Sequence, residues 1–318
     1  MTMSPTNNTP ATAPDSDGAP FPGLHVVAPN APLETAATPL SIGEDIDVEP
    51  QNELTKKFTS AEWSALQTFR SRLPATFSEA FPDNPDAGSN PYTLWGVTIN
   101  PTKSKDARVS VVLMKFLRAR NLNPDETKDM FISTLRWRQS FDVEGATKEQ
   151  FPEDVFGKLG KIYGKDKHGH PVSYNLYGAN KDIKAVFGDV QRFLRWRVAF
   201  MEQTIALLDF ETVDQVVQIH DYEGVSLSSR TENSKNAASE ASSIFQSHYP
   251  EFLARKFFVN VPSFLTWIFW FFKPFISAAT LSKMTVVGTG PRAIGSVLVS
   301  TIPEDELPKR YGGIAEGF

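Results

Sequence analysis

The residues best able to do chemistry sit on two short runs rich in β-branched and aromatic side chains. Strand side chains alternate between faces, so Ser173, Asn175 and Tyr177 share one face of the first run, and Gln218, His220 and Tyr222 share one face of the second. The opposite faces hold Val172, Tyr174, Leu176, Val217 and Ile219. A sheet covered by helices usually carries apolar side chains on both faces. A polar stripe on one face therefore has two readings: it lines an enclosed, polar-tipped cavity, or it faces water. His220 and Tyr222 can in the same way be ligand-binding groups or hydrogen-bonded core residues. His168-Gly169-His170 reads as an exposed turn.

Catalysis finds little support in the same residues. There is no Gly-x-Ser-x-Gly elbow, phosphate-binding glycine loop, metalloprotease helix or dinucleotide fingerprint. The absence of cysteine removes disulfides, cysteinyl zinc, iron–sulfur and thiolate-haem chemistry together. The reading is a non-enzymatic binding protein, with a composition compatible with the cytoplasm.

Those runs must be held by a scaffold. At 318 residues and 41% hydrophobic content the chain can bury one large core. Residues 1–54 are expected to be a disordered acidic tail. Residues 1–55 hold eight acids and no Lys or Arg, so the rest of the chain carries +3 against an overall −5. No global basic field supports nucleic-acid binding. Residues 55–150 read as a helical region. Apolar residues recur at helical spacing from Phe58 to Phe81, a Pro- and Gly-containing loop follows over 82–91, and helices are expected over 107–121 and 124–141, the latter capped by Asn123 with Pro124 in its first turn.

Residues 151–318 change rhythm. Strands are expected over 161–163, 172–177, 216–220, 256–261 and 284–287, with helices near 189–209, 232–247, 263–278 and 292–299. This alternation predicts an α/β layer with a mixed, mostly parallel sheet. The apolar stretch Phe264 to Phe272 is about half the length of a spanning helix before it meets Lys273 and Pro274.

Seven motifs in order resemble the CRAL-TRIO family. They are Lys115-Phe-Leu-Arg-Ala-Arg-Asn121, Asp166-Lys-His-Gly-His-Pro-Val172, Asp221-Tyr-Glu-Gly-Val225, Tyr249-Pro-Glu251, Val259-Asn-Val-Pro262, Lys273-Pro274 and Leu307-Pro-Lys-Arg-Tyr-Gly-Gly313. Leu207-Leu-Asp-Phe210, His220-Asp-Tyr222 and Lys256-Phe-Phe-Val-Asn-Val-Pro262 are similar to the SFH-five subgroup of the fungal phosphatidylinositol-transfer proteins. The resemblance implies a helical N-terminal subdomain, an α/β lipid-binding domain, and a gate helix over 263–278. It also implies a carrier of phosphatidylinositol that meets membrane surfaces transiently, from the cytoplasm, at the endoplasmic reticulum or elsewhere.

The resemblance further implies a headgroup site of Arg120, Glu251, Thr280 and Lys283, although Asn121 stands where a basic residue is usual. Val216 and Gln218 replace the small hydroxyl residues of the family's phosphatidylcholine site, which disfavours choline lipids. The subgroup also implies haem b in the same cavity, with Tyr222 and His220 as iron ligands, Arg197 and Lys256 supplying positive charge, and Tyr177 lining the pocket. The alternative is a sensor that presents haem or lipid to a partner protein and transfers nothing. If residues 264–272 meet lipid, adding liposomes should shift the fluorescence of Trp267 or Trp270, and Trp270→Asp should slow ligand exchange more than it lowers thermal stability. An unchanged emission spectrum, with full exchange in the variant, returns the segment to ordinary core.

Overall fold

The computed structural model describes residues 49–226, 229, 231–262 and 281–318. Residues 1–48 of the expected acidic tail, the gate helix expected over 263–278, and Thr280 lie outside them.

Local sequence sets the helical half. The expected helix over 58–81 is two helices, α1 (Ser60–Ser71) and α2 (Leu73–Ala80). Thr59 and Glu62 form a reciprocal capping box at the start of α1. Pro74 explains the break: it lacks an N–H and belongs in a first helical turn, so a new helix starts there. Tyr92–Leu94 (β1) and Val97–Ile99 (β2) form a hairpin whose turn residues, Trp95 and Gly96, both have positive φ, 52° and 77°. That is the conformation a tight two-residue hairpin requires. Then come α3 (Ala107–Ala119) and α4 (Pro124–Phe141), the latter capped by the Asn123 side chain.

Two short helices, α5 (Val143–Lys148) and α6 (Glu153–Phe156), lead into the sheet. The remaining elements are β3 (Gly160–Lys165), β4 (Pro171–Leu176), α7 (Ile183–Phe187), α8 (Val190–Ile205), β5 (Val216–Asp221), α9 (Glu232–His248), β6 (Leu253–Val259), β7 (Met284–Val286) and α10 (Pro291–Leu298). The sheet order is β3-β4-β5-β6-β7, antiparallel at β3/β4 and parallel elsewhere. This is the mixed, mostly parallel α/β architecture expected from the sequence.

The two faces of this sheet are chemically different. On one, Val172, Tyr174, Val217, Ile219, Phe257 and Val259 pack against Ile294 and Leu298 of α10 and against Leu307 and Tyr311 of the C-terminal segment. Asp221 points to this side and accepts hydrogen bonds from Tyr311 Oη at 2.8 Å and Asn260 Nδ2 at 2.8 Å. These bonds satisfy a carboxylate that is 1% exposed. On the other face, Ser173 pairs in register with Gln218 and Gln218 with Lys256, while Asn175 pairs with His220. Ser173, Asn175 and His220 are buried and Tyr177, Gln218 and Tyr222 half-buried, so the stripe lies under the covering helices and not on an exposed sheet surface.

A second core ties the N-terminal helices to this layer. Phe69, Phe116 and Phe131 meet edge to face and join Trp95, Tyr249, Phe252, Phe210 and Val216 in one cluster. Within the same region Arg138 of α4 makes paired hydrogen bonds to Glu202 of α8 at 2.7 and 3.1 Å, and Tyr249 Oη donates to Glu202 at 2.7 Å. Both charged side chains are 10% exposed. Removing one partner of such a pair strands the other in low dielectric. Arg138→Met should therefore lower unfolding stability by about 3–5 kcal/mol, measured by urea denaturation. A loss below about 1 kcal/mol would mean that Glu202 finds other solvation.

Candidate functional site

The polar face of the sheet forms one wall of a cavity of about 760 Å³. Helices α8 and α9 form the facing walls, and the turns after α3 and before β6 close one end. Its described lining carries four cations, Arg120, Arg197, Lys256 and Lys283, against one carboxylate, Glu251.

One end gathers Arg120, Glu251 and Lys283. Arg120 caps α3, and its guanidinium donates to the Ala119 carbonyl at 2.8 Å. Glu251 is held at φ +53°, uncommon for a residue with a side chain, and its carboxylate pairs with Lys283 Nζ at 3.1 Å. Two donors, one of them buried, fix that turn. Lys115 Nζ reaches the Glu251 carbonyl at 3.1 Å and Gln215 Nε2 reaches it at 3.2 Å.

Lys115 is only 2% exposed and is paired with Asp214 at 2.7 Å. Burial lowers its pKa, and Asp214 acts in the opposite direction. Its role was not anticipated from the sequence, though a lysine amid Val111-Val-Leu-Met-Lys-Phe-Leu117 is a signal: a charge in an apolar run requires a partner.

The same cavity is also lined by Tyr177, Arg197, Gln218, His220, Tyr222 and Lys256. Tyr177 Oη lies 2.6 Å from His220 Nδ1, and His220 Nε2 lies 3.2 Å from Gln218 Oε1. Burial, then Lys256 and Arg197, hold the imidazole pKa well below its ordinary value, so the ring is neutral. Gln218 Oε1 can only accept, so Nε2 carries the proton and Nδ1 accepts from the Tyr177 hydroxyl. The two tyrosine rings are 5.1 Å apart. Burial raises the pKa of both phenols: Arg197 opposes the rise at Tyr177, while Tyr177 adds to it at Tyr222. The Tyr222 hydroxyl has no hydrogen-bond partner among the described residues.

The cations in this group are unmatched. Arg197, on α8, is 7% exposed and makes no hydrogen bond or salt bridge to any described residue. Its guanidinium lies 5.8, 5.8 and 5.1 Å from the ring centres of Trp196, Phe200 and Phe245. Lys256 projects from β6 with no ionic partner either. Burial, with Arg197 as a second cause, brings its pKa down to about 8. The structure thus gathers every described candidate residue around one cavity, in two groups: Arg120, Glu251 and Lys283, and Tyr177, Arg197, His220, Tyr222 and Lys256.

A polar-tipped cavity between a two-faced sheet and its covering helices is the architecture of a ligand-binding protein. The CRAL/TRIO domain family matches residues 156–313. A phosphatidylinositol transfer protein sfh5 from Botryotinia fuckeliana is 35% identical over 267 residues, covering 79% of this chain and 57% of that relative. A protein of the same name from Cryptococcus neoformans is 34% identical over 268 residues, covering 78% of this chain and 86% of its own length. The crystal structure of Sfh5 superposes with a TM-score of 0.65 at 27% identity, covering 76% of this chain and 85% of that one. The chain belongs to the CRAL/TRIO domain family and, within it, to the group of Sfh5-type proteins. Among the described residues no helix is long and apolar enough to cross a membrane.

Proposed function

We propose that this chain is a non-catalytic carrier of phosphatidylinositol, with the inositol phosphate held at the end of the cavity formed by Arg120, Glu251 and Lys283. The carrying observation is the Glu251–Lys283 pair, 3.1 Å apart, lining a cavity of about 760 Å³ together with Arg120. Guanidinium and ammonium groups suit a phosphate through charge-assisted hydrogen bonds, and a carboxylate accepts from ring hydroxyls. The names of the relatives support the same cargo. Thr280 joins the site by resemblance and lies outside the described residues. The carrier acts from the cytoplasm, with peripheral contact at the endoplasmic reticulum or other membranes.

A charge-assisted hydrogen bond contributes about 1.5–3 kcal/mol, and a tenfold change is about 1.4 kcal/mol. Lys283→Ala should therefore slow phosphatidylinositol transfer between vesicles about tenfold or more, with an unchanged unfolding midpoint. Undiminished transfer would remove Lys283 from the headgroup site. Tight binding by the wild-type protein without any transfer would favour the alternative, a sensor that presents its ligand to a partner protein.

A second reading, haem b in the same cavity, draws on the second group of residues. They fit such a group: Tyr222 offers a hydroxyl with no partner among the described residues, and Arg197 and Lys256 offer unneutralised charge to propionates. When bound, haem supplies a ferric centre, which a phenolate favours by its charge. His220, occupied at both ring nitrogens, serves here as a hydrogen-bond partner that orients Tyr177; to ligate iron it would have to release Tyr177 or Gln218. With hemin added, Tyr222→Phe should abolish or blue-shift the Soret band, and His220→Ala should change it less. An unaltered spectrum in Tyr222→Phe would pass the ligand role to Tyr177.

A further inference from the structure

The four cavity cations are not equivalent. Lys283 has a carboxylate at 3.1 Å, and Arg120 sits half-buried in the turn after α3 with its guanidinium on a backbone carbonyl. Arg197 is buried and Lys256 half-buried, and neither has an anionic partner among the described residues. A buried charge without a counter-charge is costly, and proteins rarely keep one that a ligand does not neutralise. The neighbours of this pair, Tyr177, Gln218 and His220, are neutral and already bonded to one another. The described lining near them thus offers no counter-charge, and an anionic ligand group would supply one.

The surroundings of Arg197 limit what that anion can be. Three aromatic rings stand within 6 Å of its guanidinium carbon, so its in-plane N–H edge is the part left for a ligand. That edge matches the two oxygens of a carboxylate in a forked hydrogen bond. Phe187, Phe193, Met201 and Phe245 continue the lining as apolar wall. The volume falls within the range of about 300–1,000 Å³ that encloses one small amphiphile.

We propose that Arg197 and Lys256 form a carboxylate receptor in the cavity wall, and that the cavity takes long single-chain carboxylic acids with the charged group held between these two cations. This goes beyond headgroup binding and does not rest on it. The shared chemistry is a carboxylate on an apolar body. A porphyrin propionate presents the same group, so the experiment separates the two sources.

Delipidated protein is titrated with cis-parinaric acid and with its methyl ester, followed by polyene fluorescence, and in parallel with hemin and hemin dimethyl ester, followed by absorbance. The expected result is at least about tenfold tighter binding of parinaric acid than of its ester, with that preference lost in both Arg197→Met and Lys256→Met. Equal binding of acid and ester, or a preference that survives both variants, overturns the proposal. A preference for hemin over its diester that needs Arg197, with none for the fatty acid, also overturns it and assigns the pair to porphyrin acids. Each variant replaces a charge that has no protein partner with a side chain of similar length. The ligand-free unfolding midpoint should therefore hold or rise, and Lys256→Met serves alone if Arg197→Met fails to fold. Vesicle transfer of phosphatidylinositol, scored on the same preparations, keeps a failure here distinct from a failure of the headgroup assignment.

Discussion

A β-sheet that is apolar on one side and polar on the other cannot be covered by helices in the ordinary way, because a helix laid flat on the polar side would strand its hydrogen-bonding groups. In this protein the conflict is resolved by leaving a space of about 760 Å³ between part of the polar face and the helices α8 and α9. Some of the stripe's demand is met internally, by Ser173 and Asn175 bonding to carbonyls of the neighbouring strand and by the Tyr177–His220–Gln218 chain. The rest is left to whatever fills the space.

The other face is built on the opposite logic. Ordinary apolar packing against α10 and the C-terminal segment holds it, and its one buried acid, Asp221, is fully engaged by Tyr311, Asn260 and the more distant Arg310. Adjacent residues of β5 thus serve different ends: His220 lines the cavity and Asp221 fastens the chain terminus behind it. Lys115 performs a similar service across a longer distance, carrying the order of the N-terminal helices to the Glu251 turn.

How much of this was legible beforehand depended on length and period. The helix beginning at Pro124 could be placed because Asn123 and Pro124 mark its start and apolar residues recur at helical spacing from Met130 to Phe141. The polar stripe was readable because alternation is strict within a strand. The hairpin formed by β1 and β2 was not, since three-residue strands are too short to show a period. The split between α1 and α2 was overlooked because the apolar spacing runs on through Pro74. Within the site, residue types pointed to the right neighbourhood. That Arg197 and Lys256 lack partners is a property of three-dimensional neighbours, which no local pattern encodes. The same is true of the occupied ring nitrogens of His220, since Tyr177 lies 43 residues away.

The two-faced sheet also bears on how such proteins diversify. Residues on the packed side are bound to the stability of the whole, so a substitution there threatens folding before it can alter anything else. Residues that face the cavity, from the sheet and from α8, hold few contacts that the fold requires, and two of them, Arg197 and Lys256, have no ionic partner among the described residues. Exchanging those residues is thermodynamically cheap. Substitutions on the cavity side can therefore change what the space accepts while the packed side keeps the sheet folded.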